Sequence, residues 1–147
     1  MTTQTAKIKL VDPTLPLPKY QTEGSAAFDL YAREETIFQP GEFKAIPLNI
    51  CLKIPPAHVA IIAPRSSLYR KHGLIMVNSI GVIDEDYCGD NDEYGIPLFN
   101  LTGNEQKIEK GERICQVLLF PITKLDFTQV SQMTDASRGG FGSTGTH

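Results

Sequence analysis

Apolar residues recur at every second position in several short stretches of the chain, a period that predicts strands with one buried face. Ile8 and Leu10 open the pattern. Its clearest run is Ile46, Leu48, Ile50, Leu52 and Ile54, interleaved with Pro47, Asn49, Cys51 and Lys53, which reads as a half-buried strand. Pro47 then belongs at an edge or a bulge, where its missing N–H does no harm. Beyond the Pro55-Pro56 break, Val59, Ile61 and Ala63 fall on one face of a further strand. Two denser apolar blocks, GLIMVNSIGVI (73–83) and RICQVLLFPI (113–122), read as buried strands ended by turn residues. A helix of one or two turns is expected only at Ser67–His72, stopped by Gly73. Residues 122–138 hold neither Gly nor Pro, and their pattern leaves strand and irregular structure both open. The chain is therefore predicted to be all-β, one domain over residues 1–136 with Greek-key or jelly-roll-like connections. A flexible Gly-rich arm follows over 137–147.

Composition narrows the partners. The chain has 147 residues with 12 Gly and 10 Pro, so turns are frequent and long helices have little room. A net charge of -3 argues against sequence-independent binding to nucleic acid, but a few well-placed arginines suffice for a nucleotide. The three cysteines and three histidines are scattered, which excludes a disulfide framework and a protein-held zinc site. No apolar run approaches 18 residues and MTTQTAKIKL lacks a signal-peptide core, so a reducing, cytoplasm-like compartment is expected, with no membrane partner. For an enzyme of this length acting on a sizeable substrate, part of the pocket is expected from another subunit.

Candidate chemistry gathers in a few segments. GVIDEDYCGD (81–90) sets three acids directly after an apolar strand. If the strand runs on through Asp84, then Asp84 and Asp86 share the face of Val82, while Glu85 and Tyr87 take the other. A carboxylate beside such a floor can hold and deprotonate a water. APRSSL (63–68) offers Arg65, Ser66 and Ser67 at a helix start, which taken alone reads first as a serine cap beside a solvated arginine and otherwise as a planar fork and hydroxyls suited to phosphate. The tail SRGGFGSTG (137–145) is either a frayed end or a lid, in which Gly142 and its neighbours let backbone N–H groups approach phosphate and Phe141 stacks on a base. Asp29 and Gln116 are single polar residues in apolar surroundings.

In order and spacing, SAAFDLYA (25–32), APRSSL, GVIDEDYCGD with Asn78 ahead of it, GERICQVLLF and RGGFGSTG resemble the five motifs of the trimeric dUTP diphosphatases. The resemblance runs from about residue 20 to the C-terminus. It implies a β-clip, jelly-roll-like fold, a homotrimer with sites between subunits, and hydrolysis of dUTP to dUMP and diphosphate with Mg²⁺ held chiefly by the triphosphate. It implies that Asp84 activates the attacking water and that Tyr87 underlies the sugar and excludes a 2′-hydroxyl. Asn78 and the backbone of Val82 and Ile83 would read the uracil edge from within a β-hairpin. Arg65, Ser66 and Ser67 would bind phosphates, Gln116 would support that region, and Asp29 would approach the metal through water. Arg138, Phe141, Gly142, Ser143 and Thr144 would close over the substrate from a neighbouring subunit.

Three departures from the family pattern stand out. Ser67 occupies a usual glycine position, and RSSL is reminiscent of the related dCTP deaminases, the main alternative. CGDNDEYGIPLFN carries about three extra residues, and Pro97 argues against an ordinary central strand there. Arg138 lies two residues closer to Phe141 than the family's tail arginine. A nucleotide-sensing regulatory protein is a further alternative, in which an exposed acidic turn over residues 90–95 would capture a protein regulator.

Overall fold

The computed structural model describes residues 5–140 of the chain. Eleven strands and one short helix occupy them, and every named strand pairing is antiparallel. One sheet has four strands in the order β2 (Phe28–Tyr31), β11 (Arg113–Pro121), β6 (His58–Pro64) and β8 (Gly81–Ile83). A three-stranded sheet has β4 (Phe43–Pro47), β9 (Gly95–Asn100) and β7 (Leu74–Met76). Two ribbons complete the set, β1 (Lys7–Leu10) with β5 (Ile50–Lys53) and β3 (Thr36–Phe38) with β10 (Gln106–Ile108). Phe38, Ile46, Leu48, Ile62, Leu98 and Ile114 are among the side chains buried between these layers. The expected all-β, jelly-roll-like architecture is what forms. The helix α1 (Leu68–His72) also forms, and Gly73 ends it at φ 60°, a left-handed conformation in which its N–H caps the Tyr69 carbonyl.

Several expected elements differ in detail. The run 46–54 keeps its buried positions, but it is not one strand. Asn49 adopts φ 67° and breaks it into β4 and β5, which join different sheets. Pro47 lies at the end of an edge strand, as its missing donor requires. In β6 the core face is Ala60 and Ile62, and Val59, Ile61 and Ala63 are only half-buried. The segment is apolar on both faces, so alternation cannot choose between them. The block 73–83 is likewise two strands, with β7 bonded to β9 and β8 to β6. The turn around Asn78 therefore links two sheets instead of closing a hairpin ladder. β8 ends at Ile83, and Asp84 enters a turn in which the Tyr87 N–H bonds the Asp84 carbonyl at 3.2 Å.

Pro97 stands in the middle of a central strand after all. Its carbonyl accepts the Val77 N–H at 3.1 Å, and its own nitrogen faces the same side, just past the end of β7 at Met76. The loss is confined to the reciprocal bond to Val77, at the last rung of the ladder. Beyond Pro121 the chain is irregular and exposed through residue 140 except at Ile122, whose N–H bonds the Ala57 carbonyl at 2.9 Å.

Candidate functional site

Asp29 on β2 sits directly opposite Gln116 on β11, and Gln116 opposite Ala63 on β6. Side chains directly opposite across a sheet share a face, so this register carries both polar groups to one place. Arg65 follows β6 immediately and turns back toward them. Its Nε lies 3.2 Å from Asp29 Oδ1, while Arg113 Nη1 donates to Asp29 Oδ2 at 3.1 Å. Asp29 is only 7% exposed, and burying a carboxylate is costly unless it is paired in this way. Arg65 Nη1 also donates to the Arg113 carbonyl at 3.3 Å, leaving Nη2 as the nitrogen without an assigned role. Gln116 Nε2 donates to the Pro64 carbonyl at 3.4 Å, bracing the turn into Arg65.

Asp29, Arg65, Ser66 and Gln116 together line a cleft of about 360 Å³. Ser67 stands at the helix entry with φ −86° and ψ −13° and makes no side-chain cap bond. Any residue adopts those angles, so serine strains nothing where glycine is usual. Arg113 was not singled out by its sequence. The available signal was a lone cation opening an otherwise apolar strand, and the irregular register between Arg113 and Cys115 is what frees it to reach Asp29.

The acidic segment lies elsewhere. β8 runs antiparallel to β6, with Gly81 opposite Ile62 and Ile83 opposite Ala60. Asp84 thus leaves the sheet just past the Ala60 rung, and Arg65 leaves β6 at its other end, a strand path of about 20 Å at ~3.3 Å per residue. Asp84 and Asp86 are exposed, and neither carboxylate has a partner among the described residues. Glu85 is held instead, accepting from the Ala57 N–H and lying 3.7 Å from Lys124 Nζ. The face-sharing expected from a continued strand does not arise, because the chain has already turned. Val82 is 59% exposed at the sheet edge and Ile83 packs against the core. Asn78 is exposed in its turn, whose next residue, Ser79, borders a second hollow with Arg65 and Ser66. Arg138 is exposed on the irregular segment, and Phe141, Gly142, Ser143 and Thr144 lie outside the described residues.

The extra residues after the acidic turn are only partly exposed. Asp90 and Asn91 face solvent, but Glu93 is half-buried and Tyr94 is in the core. Among the described residues no three His, Cys, Asp or Glu side chains form a metal-holding group, and no helix is long and apolar enough to cross a membrane.

Comparison with known proteins bears directly on this arrangement. The dUTPase family model matches residues 14–145. The deoxyuridine 5′-triphosphate nucleotidohydrolase of Anaeromyxobacter sp. (strain Fw109-5) is 39% identical over 146 residues, covering 96% of this chain and 97% of that protein. A prophage-derived protein of the same description from Bacillus subtilis (strain 168) is 40% identical over 141 residues, covering 95% and 97%. Among solved structures, the Staphylococcus bacteriophage 80alpha dUTPase with dUPNHPP superposes with a TM-score of 0.85 at 26% identity, covering 97% of this chain and 99% of that one. The Streptococcus mutans dUTPase gives a TM-score of 0.75 at 30% identity, covering 82% and 98%.

Proposed function

The chain belongs to the dUTPase family and hydrolyses dUTP to dUMP and diphosphate; from this premise we propose how its residues divide the work. Asp84 takes the proton of the water that attacks the α-phosphorus, a role that suits a carboxylate with no partner among the described residues. Tyr87 lies under the deoxyribose and rejects a 2′-hydroxyl. Asn78 and the backbone of Val82 and Ile83 read the uracil edge, where a wrong base would leave buried polar groups unpaired. Arg65, Ser66 and Ser67 bind the phosphates, with Gln116 bracing Arg65. Phe141 stacks on the base, Gly142 allows the tail backbone a close approach, and Arg138, Ser143 and Thr144 grip the phosphates.

The donor set fits a metal that arrives with the nucleotide. Asp29 is the one carboxylate of its cleft, and both its oxygens already accept from arginine, so it suits a metal-bound water better than a bare ion. Mg²⁺ supplies charge neutralisation on the triphosphate when bound.

The reading is a homotrimer with three shared sites, and the placement of Arg65 and Asp84 at opposite ends of β6, about 20 Å of strand apart, supports it. Leu125, Phe127, Val130 and Met133, all exposed on the irregular segment, add to that support as an apolar surface suited to a neighbouring subunit. Three free thiols suit the reducing compartment proposed for it.

The deciding experiment is an assay of dUTP, UTP, dCTP and dTTP with and without Mg²⁺. Diphosphate release from dUTP alone, and only with metal, is the expected result. Ammonia released from dCTP would overturn it in favour of a deaminase.

A further inference from the structure

Tyr87 is 40% exposed, yet its ring and hydroxyl both have partners. Its hydroxyl donates to the Glu93 carbonyl at 3.3 Å, and its ring lies 6.3 Å, centroid to centroid, from that of Tyr94 with a tilt of 31°. Both contacts come from the segment that exceeds the usual family length.

That segment is itself fixed in the core. Tyr94 is 1% exposed, its N–H bonds the Ile50 carbonyl at 2.9 Å, and its carbonyl accepts the Leu48 N–H at 2.8 Å. Glu93 Oε1 accepts from Arg33 Nε at 2.8 Å and from the Asn49 N–H at 2.9 Å. Asn49, buried at φ 67°, is tied in turn to Asp12 through Oδ1 at 2.6 Å and Nδ2 at 3.1 Å. The break between β4 and β5 thus anchors Glu93, and Glu93 with Tyr94 anchors Tyr87. The Tyr94 hydroxyl has no hydrogen-bond partner among the described residues, so its ring is what the site uses.

We propose that Tyr94 and the Arg33–Glu93 pair are positioning residues for sugar selection, holding the Tyr87 ring where it meets C2′ of the nucleotide. The proposal rests on the reading of Tyr87 as the residue under the deoxyribose. A ring backed by a second ring and tethered at its hydroxyl cannot swing aside for a ribose, and steric rejection is only as strong as the wall is rigid.

The test compares kcat/KM for dUTP and UTP in the full-length protein. Tyr94→Leu removes the backing ring and is expected to lower the dUTP-to-UTP ratio about tenfold, chiefly through faster UTP turnover. Tyr94→Phe keeps the ring and is expected to keep the ratio. A folded Tyr94→Leu protein with a ratio within about twofold of the parent overturns the proposal, since a merely structural residue would lower melting temperature and both substrates alike. Should Tyr94→Leu fail to fold, Arg33→Gln carries the same test by releasing Glu93. A fall of about threefold supports the proposal and an unchanged ratio overturns it. Tyr87→Leu separates the two levels. If it leaves the ratio unchanged, the reading of Tyr87 itself fails. If it collapses the ratio while the Tyr94 and Arg33 variants do not, only the positioning role fails.

Discussion

Asp84 and Asp29 are both carboxylates of the proposed site, but their surroundings prepare them for opposite work. Asp29 is buried and doubly bonded to guanidinium groups, so it is spent on holding cations in place. Asp84 has no such partner among the described residues and remains available to a proton. Asp84→Asn is therefore expected to lower kcat by at least about a hundredfold while a non-hydrolysable dUTP analogue still binds, measurable by calorimetry beside steady-state rates. A second carboxylate governs acid stability. Burial alone would raise the Glu112 carboxyl, but hydrogen bonds from His72 Nε2 at 2.8 Å and Lys71 Nζ at 3.1 Å outweigh it and leave it below its ordinary value of 4.5. A depressed acid stabilises the fold above its unfolded pKa, and that contribution disappears as pH falls through the folded one. Melting temperature is thus expected to fall below about pH 4.5, and Glu112→Gln, lower at neutral pH, should show a flatter profile over that range.

At the scale of elements, α1 depends on the way it ends. Gly73 stands at φ 60°, and a Cβ there would collide with the Thr102 side chain. Gly73→Ala should cost about 2 kcal/mol or more in urea unfolding, from left-handed strain and the clash together. The helix and its glycine stop were legible because a polar start and a Gly end are local signals. So were the buried positions of the 46–54 run. The break at Asn49 was not, because its cause is Asp12 and Glu93, 37 and 44 residues away in sequence. Pro97 misled for a related reason. Whether its missing N–H matters depends on where β7 stops, which is a property of another strand. In the site, motif order marked Asp29, Arg65 and Gln116, whereas Arg113 offered only a lone cation at the head of an apolar strand, and the role proposed for Tyr94 rests on contacts that no local pattern records.

For the whole molecule, the antiparallel pairing of β6 with β8 is decisive, because it sends Arg65 and Asp84 to opposite ends of one sheet. Two inactive proteins, Arg65→Ala and Asp84→Asn, should then repair one another when unfolded together and refolded as a mixture. In random cyclic trimers, about one site in four receives Arg65 from one subunit and Asp84 from the next, so about a quarter of the parental rate is expected. Recovery near zero would mean that each chain builds its own site. The same strand pairing has a consequence for the enzyme in dilute solution. On the proposed shared-site reading, a lone chain owns every part and assembles none of its sites, so the rate per chain is expected to depend on total protein, falling as subunits part. Scarcity of the protein itself would act as its inhibitor.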